Sequence, residues 1–529
     1  EGRNPGGAAS ERGSGGLRTG IEWERGFVVM EKPDILILMS DQHGADYSGW
    51  GSVSVDTPEL NQLRGEGTSF EEAYTPCPIC VPARMSVMSS LLPSRTGIYS
   101  NQDTLSDTVS CFTHALVAEG YDTVLAGRMH FIGANQRHGF TKRIAPDITP
   151  VSWQRPFQKI KEERGVLTAA FADWGATEIV GAGESPVEHY DRMVIDAVLD
   201  YLKEEHDKPQ FILVGTYGPH FPYITNEKLY RKYYERVTIP RGFDRREIPD
   251  YLLKNEVLAG RMKEEHVTEE VVRGCLAAYC GQIEIMDGQI GEVKREFQRY
   301  AKRNGHKAVM GYVSDHGDCV GENRLFGKRN YSDKASKVPM IFAGDGIPAG
   351  HCVTSPVSLM DLGPTVCSMA GTSFEIGDGK SLVGRMQGEV DDGMVVSQMV
   401  DETNRGFVGS IMLRYGDYKF IHYHTEVPQS ILFDRKEDPE EICDIAQKQQ
   451  ELTAWFEEKA AEIVDYEVME QQAKEHKRNA LWFQAYERSA GLNDSERWQG
   501  NPPSARGELS IKAAYNLECM ENFTFKTFL

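Results

Sequence analysis

The segment at residues 80–84, Cys-Val-Pro-Ala-Arg, combines a reactive thiol with a permanent cation at helical spacing. Proline is favoured in the first turn of a helix, where its missing N–H costs nothing, so Pro82 predicts that a helix begins near Cys80. The free N–H groups and the dipole of such a helix attract an anion, and Arg84 adds positive charge on a similar face. The segment therefore predicts an anion held against a nucleophilic side chain.

Two other interpretations of Cys80 are open at this point. Cys77 and Cys80 form a C-x-x-C pair, which occurs in redox pairs and in halves of zinc sites. No second C-x-x-C pair occurs in the sequence, which disfavours a zinc ribbon. A cysteine with no partner is also commonly a buried structural residue.

The composition of the chain narrows the classes of partner. The 529 residues carry a net charge of −21, which disfavours nucleic acid or an anionic membrane as the main partner. The ten cysteines have no framework spacing and indicate reduced thiols. There is no apolar run of about 18 residues and no apolar secretory segment, so we expect no membrane span and a cytoplasmic location.

Four apolar runs end in polar side chains that can do chemistry. Continuous apolar runs of this length suit strands buried on both faces of a parallel sheet. Amphipathic helical patterns lie between them, at 185–205 and 279–304, so a doubly wound α/β sheet is predicted. The runs and the residues that follow them are 34–39 with Asp41 and Gln42, 123–126 with Arg128 and His130, 211–214 with His220, and 308–313 with Asp315 and His316.

These polar endings predict a metal site beside an anion site, because ligands bind outside the carboxyl ends of such strands. The oxygen-rich set Asp41, Gln42, Asp315 and His316 favours a hard divalent cation, Ca²⁺ or Mg²⁺, with Mn²⁺ compatible. Singly, each residue also admits a structural role, as a cap, a turn or a surface charge. Together, the positive or donor groups form a cage for a tetrahedral anion or its ester; they are Arg84, Arg128, His130, His220 and Lys328.

In this order, the motifs resemble those of the formylglycine-dependent (type I) sulfatases of the alkaline phosphatase superfamily. The resemblance spans residues 33–446. It implies an alkaline-phosphatase-like α/β fold: a mixed, mostly parallel sheet sandwiched by helices, with a smaller C-terminal antiparallel sheet plus helix subdomain. The matching segments are 34–42, 80–84 (C-x-[PA]-[SA]-R), 92–97, 127–130, 219–222, 314–317 and 327–328.

The resemblance also implies a mechanism. A maturase would oxidise Cys80 to formylglycine, which would touch the metal, and a hydroxyl of its hydrate would attack sulfur with help from the metal and Arg84. His220 or Lys328 would protonate the leaving oxygen. His130 would take a proton from the second hydroxyl, so that the aldehyde re-forms and sulfate is expelled.

Two positions depart from the common family pattern. Arg128 stands where lysine is usual, and arginine holds sulfate well but donates protons poorly, so we assign it to substrate binding with His220 and Lys328. Gln42 and His316 stand where many members have Asp and Asn. That version is similar to the branch with choline sulfatases and phosphonate monoester hydrolases, and residues 129–140 look like the choline-sulfatase group.

Three functions follow as hypotheses. The leading one is hydrolysis of a small-molecule or saccharide sulfate monoester. The second is hydrolysis of a phosphonate monoester or phosphodiester, which the same cage can bind. The third is an anion-binding protein in which Cys80 is never oxidised.

The predicted organisation has four parts. Residues 1–29 are a disordered leader or an expression remnant, 30–396 the catalytic α/β domain, and 397–476 the C-terminal subdomain. In the subdomain, 409–414 and 418–423 predict a hairpin, 429–433 a further strand and 448–474 one long helix. The aromatic-rich tail 477–529 is expected to dock on its own or a neighbouring subunit, near the active-site mouth, in a homo-oligomer.

Overall fold

The computed structural model describes residues 32–147, 176–177, 180–183, 185–262, 267–391 and 393–490. Sixteen strands lie within these ranges. In chain order they are β1 Asp34–Asp41, β2 Gly67–Phe70, β3 Ala73–Tyr74, β4 Asp122–Gly127, β5 Lys142–Ala145, β6 Val180–Ala182, β7 Gln210–Pro219, β8 Tyr223–Thr225, β9 Ala308–Ser314, β10 Met340–Gly344, β11 His351–Val353, β12 Val357–Ser358, β13 Val395–Thr403, β14 Gly406–Tyr415, β15 Tyr418–Tyr423 and β16 Gln429–Asp434.

Helices connect these strands. The α-helices of the described residues are Pro58–Glu66, Cys80–Ser89, Pro93–Thr96, Phe112–Ala118, Pro186–Tyr201, Glu227–Tyr234, Asp250–Lys254, Glu256–Ala259, Glu269–Asn304, Asp333–Ser336, Leu362–Met369, Val383–Met386, Gln450–Ile463 and Tyr466–Ala490. Short 3-10 helices lie at Ala45–Tyr47, Arg245–Glu247, Glu322–Arg324 and Leu359–Asp361. In the part of the chain that is described, no helix has the length and apolar character needed to span a bilayer.

The main sheet has eight strands in the order β11-β2-β10-β9-β1-β7-β4-β5. The four strands predicted from the sequence are its centre, β9-β1-β7-β4, and each neighbouring pair is parallel. β10 runs antiparallel to both β9 and β2, so the sheet is mixed but mostly parallel. This arrangement confirms the predicted fold class. As in a doubly wound sheet, the first strand of the chain, β1, lies in the middle of the sheet and later strands are added on both sides of it.

Hydrophobic cores cover both faces of the sheet. Side chains alternate along β1, so that Leu36 faces one core and Ile37 the other. The long helix Glu269–Asn304 packs into the first core through residues such as Ile283. The helix Cys80–Ser89 packs into the second core, and all ten of its residues are buried. The helix that carries Cys80 is therefore held rigidly against the sheet.

A separate antiparallel sheet, β13-β14-β15-β16, forms the C-terminal part. The predicted hairpin is β14 and β15, and the predicted further strand is β16. The prediction of one helix over 448–474 was wrong, because two helices occupy the region, Gln450–Ile463 and Tyr466–Ala490. The first ends at Ile463, because the backbone of the next residue, Val464, is extended at φ −138° and ψ 139°.

The domain boundaries stay a prediction. The last helix runs past the predicted boundary at 476 to Ala490, and Trp482 and Tyr486 on it are 73% and 61% exposed. The leader 1–29 and the remaining tail 491–529 lie outside the described residues. Tail docking and the homo-oligomer likewise stay predictions.

Candidate active site

The candidate site lies at the carboxyl edge of the four central strands. β1, β4, β7 and β9 all end at this edge, as the parallel pairing requires. The backbones of β4 and β7 approach closely there, because a Cβ on Gly215 would lie 1.8 Å from the carbonyl oxygen of Arg128. A glycine at this position therefore allows Arg128 to follow β4 into the site.

Cys80 is the first residue of its helix, as the position of Pro82 predicted. Ile79 before it has an extended backbone, and the Ala83 N–H closes the first turn on the Ile79 carbonyl at 2.9 Å. The thiol is 1% exposed, so its surroundings are set by the protein rather than by solvent. The Val81 N–H at the helix start donates to Asn101 Oδ1 at 3.0 Å.

Four of the five predicted metal ligands form one buried cluster. Their ligand atoms lie within 4.8 Å of one another and belong to Asp41, Cys80, Asp315 and His316. The fifth, Gln42, is adjacent: its Oε1 lies 2.6 Å from Lys328 Nζ, which itself lies 3.2 Å from the Cys80 Sγ. Two carboxylates, an imidazole and an amide oxygen fit a hard divalent cation. The donor set therefore fits the metal that the resemblance implies.

The backbone of Gln42 is held in an unusual conformation. Its φ is 70°, in the left-handed region that non-glycine residues seldom occupy. Its N–H donates to Asp315 Oδ1 at 3.0 Å, and its carbonyl accepts from the Tyr279 hydroxyl. The first bond fixes the turn after β1 against the turn after β9, so that both turns present their side chains to one point, and the second joins the turn to the long helix Glu269–Asn304.

Arg84 holds the two aspartates of the cluster. Its Nε donates to Asp315 Oδ2 at 2.8 Å, and its Nη2 donates to Asp41 Oδ2 at 3.2 Å. Its Nη1 donates to the Arg128 carbonyl at 3.0 Å. All three side chains are buried, and removal of one partner from a buried ion pair is strongly destabilising. In this arrangement, Arg84 acts on the nucleophile through the carboxylates beside it.

Arg128 and His130 form a second buried pair. Arg128 Nε donates to Asp41 Oδ2 at 2.5 Å, and its Nη2 donates to His130 Nδ1 at 2.9 Å. The neutral ring of His130 therefore carries its proton on Nε2. Burial and the neighbouring Arg128 hold the pKa of His130 well below its ordinary value. To act as a base through Nδ1, the ring must first release the bond to Arg128.

Lys328 and His220 form the third group. Lys328 Nζ lies 2.8 Å from His220 Nε2, and His220 Nδ1 lies 2.8 Å from the Phe221 carbonyl. A carbonyl only accepts, so Nδ1 carries the proton and Nε2 accepts from the ammonium. Burial, followed by the charge of Lys328, lowers the pKa of His220 well below its ordinary value.

The groups around the Cys80 thiol shift its pKa in opposite directions. His316 Nε2 lies 3.2 Å and Asp41 Oδ1 lies 3.8 Å from its Sγ. Burial and the Asp41 charge raise the pKa of the thiol, while Lys328 and His316 lower it, and the net result is a pKa below the ordinary value. Cys77, by contrast, lies outside the cluster of ligand atoms, and burial raises its pKa well above the ordinary value.

The structure also brings in two residues that the sequence analysis did not assign to the site. Asp147 is buried and accepts from the backbone N–H of Met129 at 3.1 Å and of His130 at 2.7 Å. It follows β5, which is a further strand end at the same edge, but the alternating run Lys142–Ala145 is too short to stand out. Asp318 follows β9, three residues after Asp315, and its carboxylate accepts from Gln42 Nε2 at 2.6 Å.

Two family models and several named relatives match this chain. The sulfatase family model matches residues 33–372, and the model of the N-sulphoglucosamine sulphohydrolase C-terminal region matches residues 321–466. A choline-sulfatase of Rhizobium meliloti is 30% identical over 93% of this chain and 98% of its own. Arylsulfatase K of Danio rerio is 26% identical over 88% of this chain and 90% of its own.

Solved structures share the fold. The phosphonate monoester hydrolase of Agrobacterium radiobacter superposes with a TM-score of 0.66 at 18% identity, covering 84% of this chain and 96% of that one. A 2-O GAG sulfatase superposes with a TM-score of 0.61 at 23% identity, covering 82% and 91%. With a family model that spans most of the chain and a full-length relative at 30% identity, the chain belongs to the sulfatase family.

Proposed function

We propose that this protein hydrolyses a sulfate monoester with a formylglycine that is made from Cys80. One observation carries the proposal: the Cys80 Sγ lies 3.2 Å from both His316 Nε2 and Lys328 Nζ, at a helix N-terminus. The sulfur therefore lies among a carboxylate, an imidazole and an ammonium group. After oxidation of Cys80, the nucleophilic oxygen of the formylglycine would lie at the same place. The family membership gives the reaction class, because its relatives are named as sulfatases.

The maturation of Cys80 is a two-electron oxidation. The side-chain CH₂–SH becomes an aldehyde, oxygen replaces sulfur, sulfur leaves as sulfide, and a maturase supplies the oxidant. Cys80 is only 1% exposed in the fold, and every residue of its helix is buried. We therefore propose that the maturase acts on the chain before it folds.

A divalent metal completes the site in this proposal. The residues that would hold it are Asp41, Gln42, Asp315 and His316, with the oxidised side chain at position 80. When bound, it supplies Lewis-acid polarisation of the sulfate and of the nucleophilic oxygen. Ca²⁺ is the first ion to test, and Mg²⁺ and Mn²⁺ suit the same donors.

The remaining side chains divide the work of binding and proton transfer. Arg128 and the N-terminus of the Cys80 helix attract the sulfate group. Lys328 is the proton source for the leaving oxygen, because its ammonium lies 3.2 Å from the Cys80 Sγ, while His220 Nε2 accepts from it at 2.8 Å. His130 takes up a proton after its bond to Arg128 opens. Asp41 and Asp315 are kept in place by Arg84.

The name of one relative indicates which substrate class to test first. A relative whose match covers 93% of this chain is named a choline-sulfatase, and residues 129–140 look like that group. Choline sulfate is therefore the first substrate to test, beside an aryl sulfate.

The test is a sulfate-release assay on protein coexpressed with a maturase. We expect turnover of sulfate esters, and a Cys80 peptide about 18 Da lighter than the cysteine form by mass spectrometry. Cys80→Ala, expressed in the same way, is the matched control and should fold but release no sulfate. Faster turnover of an aryl phosphonate ester would favour the phosphonate hydrolase hypothesis. An unmodified Cys80 together with no turnover would favour the anion-binding hypothesis.

A further inference from the structure

Asp318 is fully buried three residues after Asp315, yet it lies outside the cluster of metal-ligand atoms. Both of its carboxylate oxygens accept hydrogen bonds. Oδ1 accepts from the backbone N–H groups of Val320 at 2.9 Å and Gly327 at 2.7 Å. Oδ2 accepts from Gln42 Nε2 at 2.6 Å and from the Tyr223 hydroxyl at 2.7 Å.

The contact with Gln42 decides which end of its amide faces the cluster. An amide has a donor end and an acceptor end of nearly equal shape, and either can be turned inward. A carboxylate accepts and does not donate, so Asp318 holds the Nε2 end. Oε1 is consequently turned the other way, where it accepts from Lys328 Nζ at 2.6 Å. A metal needs this oxygen, since the opposite rotamer would present N–H groups to a cation.

The same carboxylate joins three segments of the site. Gln42 follows β1, Tyr223 lies after the His220 loop, and Gly327 immediately precedes Lys328. A negative charge with four donors and no exposure is well satisfied, so the junction is rigid. The position of Lys328 and the orientation of Gln42 thus both involve this carboxylate, and Lys328, which only donates, favours the same orientation of Gln42.

We infer that Asp318 is a positioning residue that selects the oxygen-inward rotamer of Gln42 and thereby sets the affinity of the site for its divalent ion. The inference rests on the metal set of the proposed function. In this inference Asp318 does not bind the ion. It determines which atom of the Gln42 side chain faces the ion. Replacing a residue that hydrogen-bonds to a metal ligand typically lowers the metal affinity about 10- to 100-fold.

The substitution Asp318→Asn tests the inference because its effect on Gln42 is defined. The two backbone N–H groups of Val320 and Gly327 require an oxygen, so the asparagine amide must turn its NH₂ toward Gln42. Gln42 must then flip to offer its oxygen to that NH₂ and its own N–H groups to the ion. The double variant Gln42→Glu, Asp318→Asn repairs this, because a carboxylate at position 42 can accept from the NH₂ and still face the ion with oxygen.

The measurement is calorimetric titration of the chelator-treated protein with Ca²⁺, supported by the Ca²⁺-induced shift in melting temperature. We expect Asp318→Asn to bind about 10- to 100-fold more weakly than the wild type, and the double variant to recover most of the loss. Tyr223→Phe is the matched control. It removes one hydrogen bond to the same Oδ2 while leaving the Gln42 contact, so its affinity should stay within about threefold.

The outcomes separate the inference from the proposed function. A wild type that binds no divalent ion refutes the metal in the proposed function, and with it the premise of the inference. A wild type that binds, with Asp318→Asn binding equally well or the double variant not recovering, overturns the inference alone. If Asp318→Asn fails to fold, recovery of folding and Ca²⁺ binding in the double variant supports the inference. Failure of the double variant to fold overturns it, because the role of Asp318 would then lie in the bonds to Val320 and Gly327.

Discussion

Replacing Lys328 with alanine tests which side chain protonates the leaving oxygen. Lys328 is 7% exposed, and its ammonium lies 3.2 Å from the Cys80 Sγ and 2.8 Å from His220 Nε2. His220 has its proton on Nδ1, directed at the Phe221 carbonyl at 2.8 Å, so its Nε2 has none to give. The proton for the leaving group should therefore come from Lys328.

The size of the effect depends on the leaving group. A positioned general acid increases the rate about 10²- to 10⁴-fold, and the full increase applies to an ester with a poor leaving group. For an alkyl sulfate we expect Lys328→Ala to lower kcat/KM by that factor. For 4-nitrophenyl sulfate, whose oxygen leaves without a proton, we expect a loss of about tenfold, which reflects the removed charge beside the nucleophile.

The assay is kcat/KM across a series of aryl and alkyl sulfates of graded leaving-group basicity. Lys328→Arg is the matched control, because it keeps the charge but donates protons poorly, and it should retain activity toward the good leaving groups alone. His220→Ala should give a shallower dependence than Lys328→Ala. Equal slowing of all esters by Lys328→Ala, or a steeper dependence for His220→Ala, would refute the assignment.

Three further predictions test the rest of the site. Asp315→Ala removes a carboxylate from the cluster and the partner of Arg84, so we expect loss of both the Ca²⁺-induced melting shift and sulfate release; retained ion binding would contradict the metal set. Cys77→Ala should keep sulfate release within about threefold, since a Cys-to-Ala change in a core costs little compared with a lost ligand; abolished activity would revive a role for the C-x-x-C pair. Kinetics with matched 4-nitrophenyl esters should show a phosphate monoester to be a poorer substrate than a phosphonate monoester, because the site has too little positive charge for a dianion; the reverse order would contradict this charge balance.

Much of the site was predictable because it depends on strand ends. Apolar runs mark buried strands, and in a parallel sheet their carboxyl ends share one edge, so the residues after each run had to meet. Asp41, Arg128, His220 and Asp315 were found in this way. Pro82 fixed the helix start, which placed Cys80 at the same edge.

The remaining features of the site depend on which side chains hydrogen-bond to each other across the fold. The order of residues in the sequence does not determine these contacts. The hydrogen bonds from Arg84 to Asp41 and Asp315 were not predicted, because each joins residues more than 40 positions apart. Asp318 was not assigned to the site, because its contact with Gln42 joins residues that lie 276 positions apart. The break at Val464 was missed because the apolar periodicity continues across it, while the backbone there does not.

The balance of buried charge relates the site to the charge of its substrate. Among the described residues that contact one another around Cys80, there are four carboxyl groups and three cationic side chains, which leave one net negative charge when all of them are ionised. They belong to Asp41, Asp147, Asp315 and Asp318, and to Arg84, Arg128 and Lys328.

A divalent ion would reverse that net charge to one positive, which a sulfate or phosphonate monoester neutralises with its single negative charge. A phosphate monoester is largely dianionic at neutral pH, since its second pKa is about 6. It would leave one buried negative charge uncompensated, and such a charge is costly in a site with little solvent. The charge balance therefore favours monoanionic esters as a group. Discrimination between sulfur and phosphorus must come from elsewhere, namely from the groups that contact the alcohol half of the substrate and from the stability of the covalent ester at position 80.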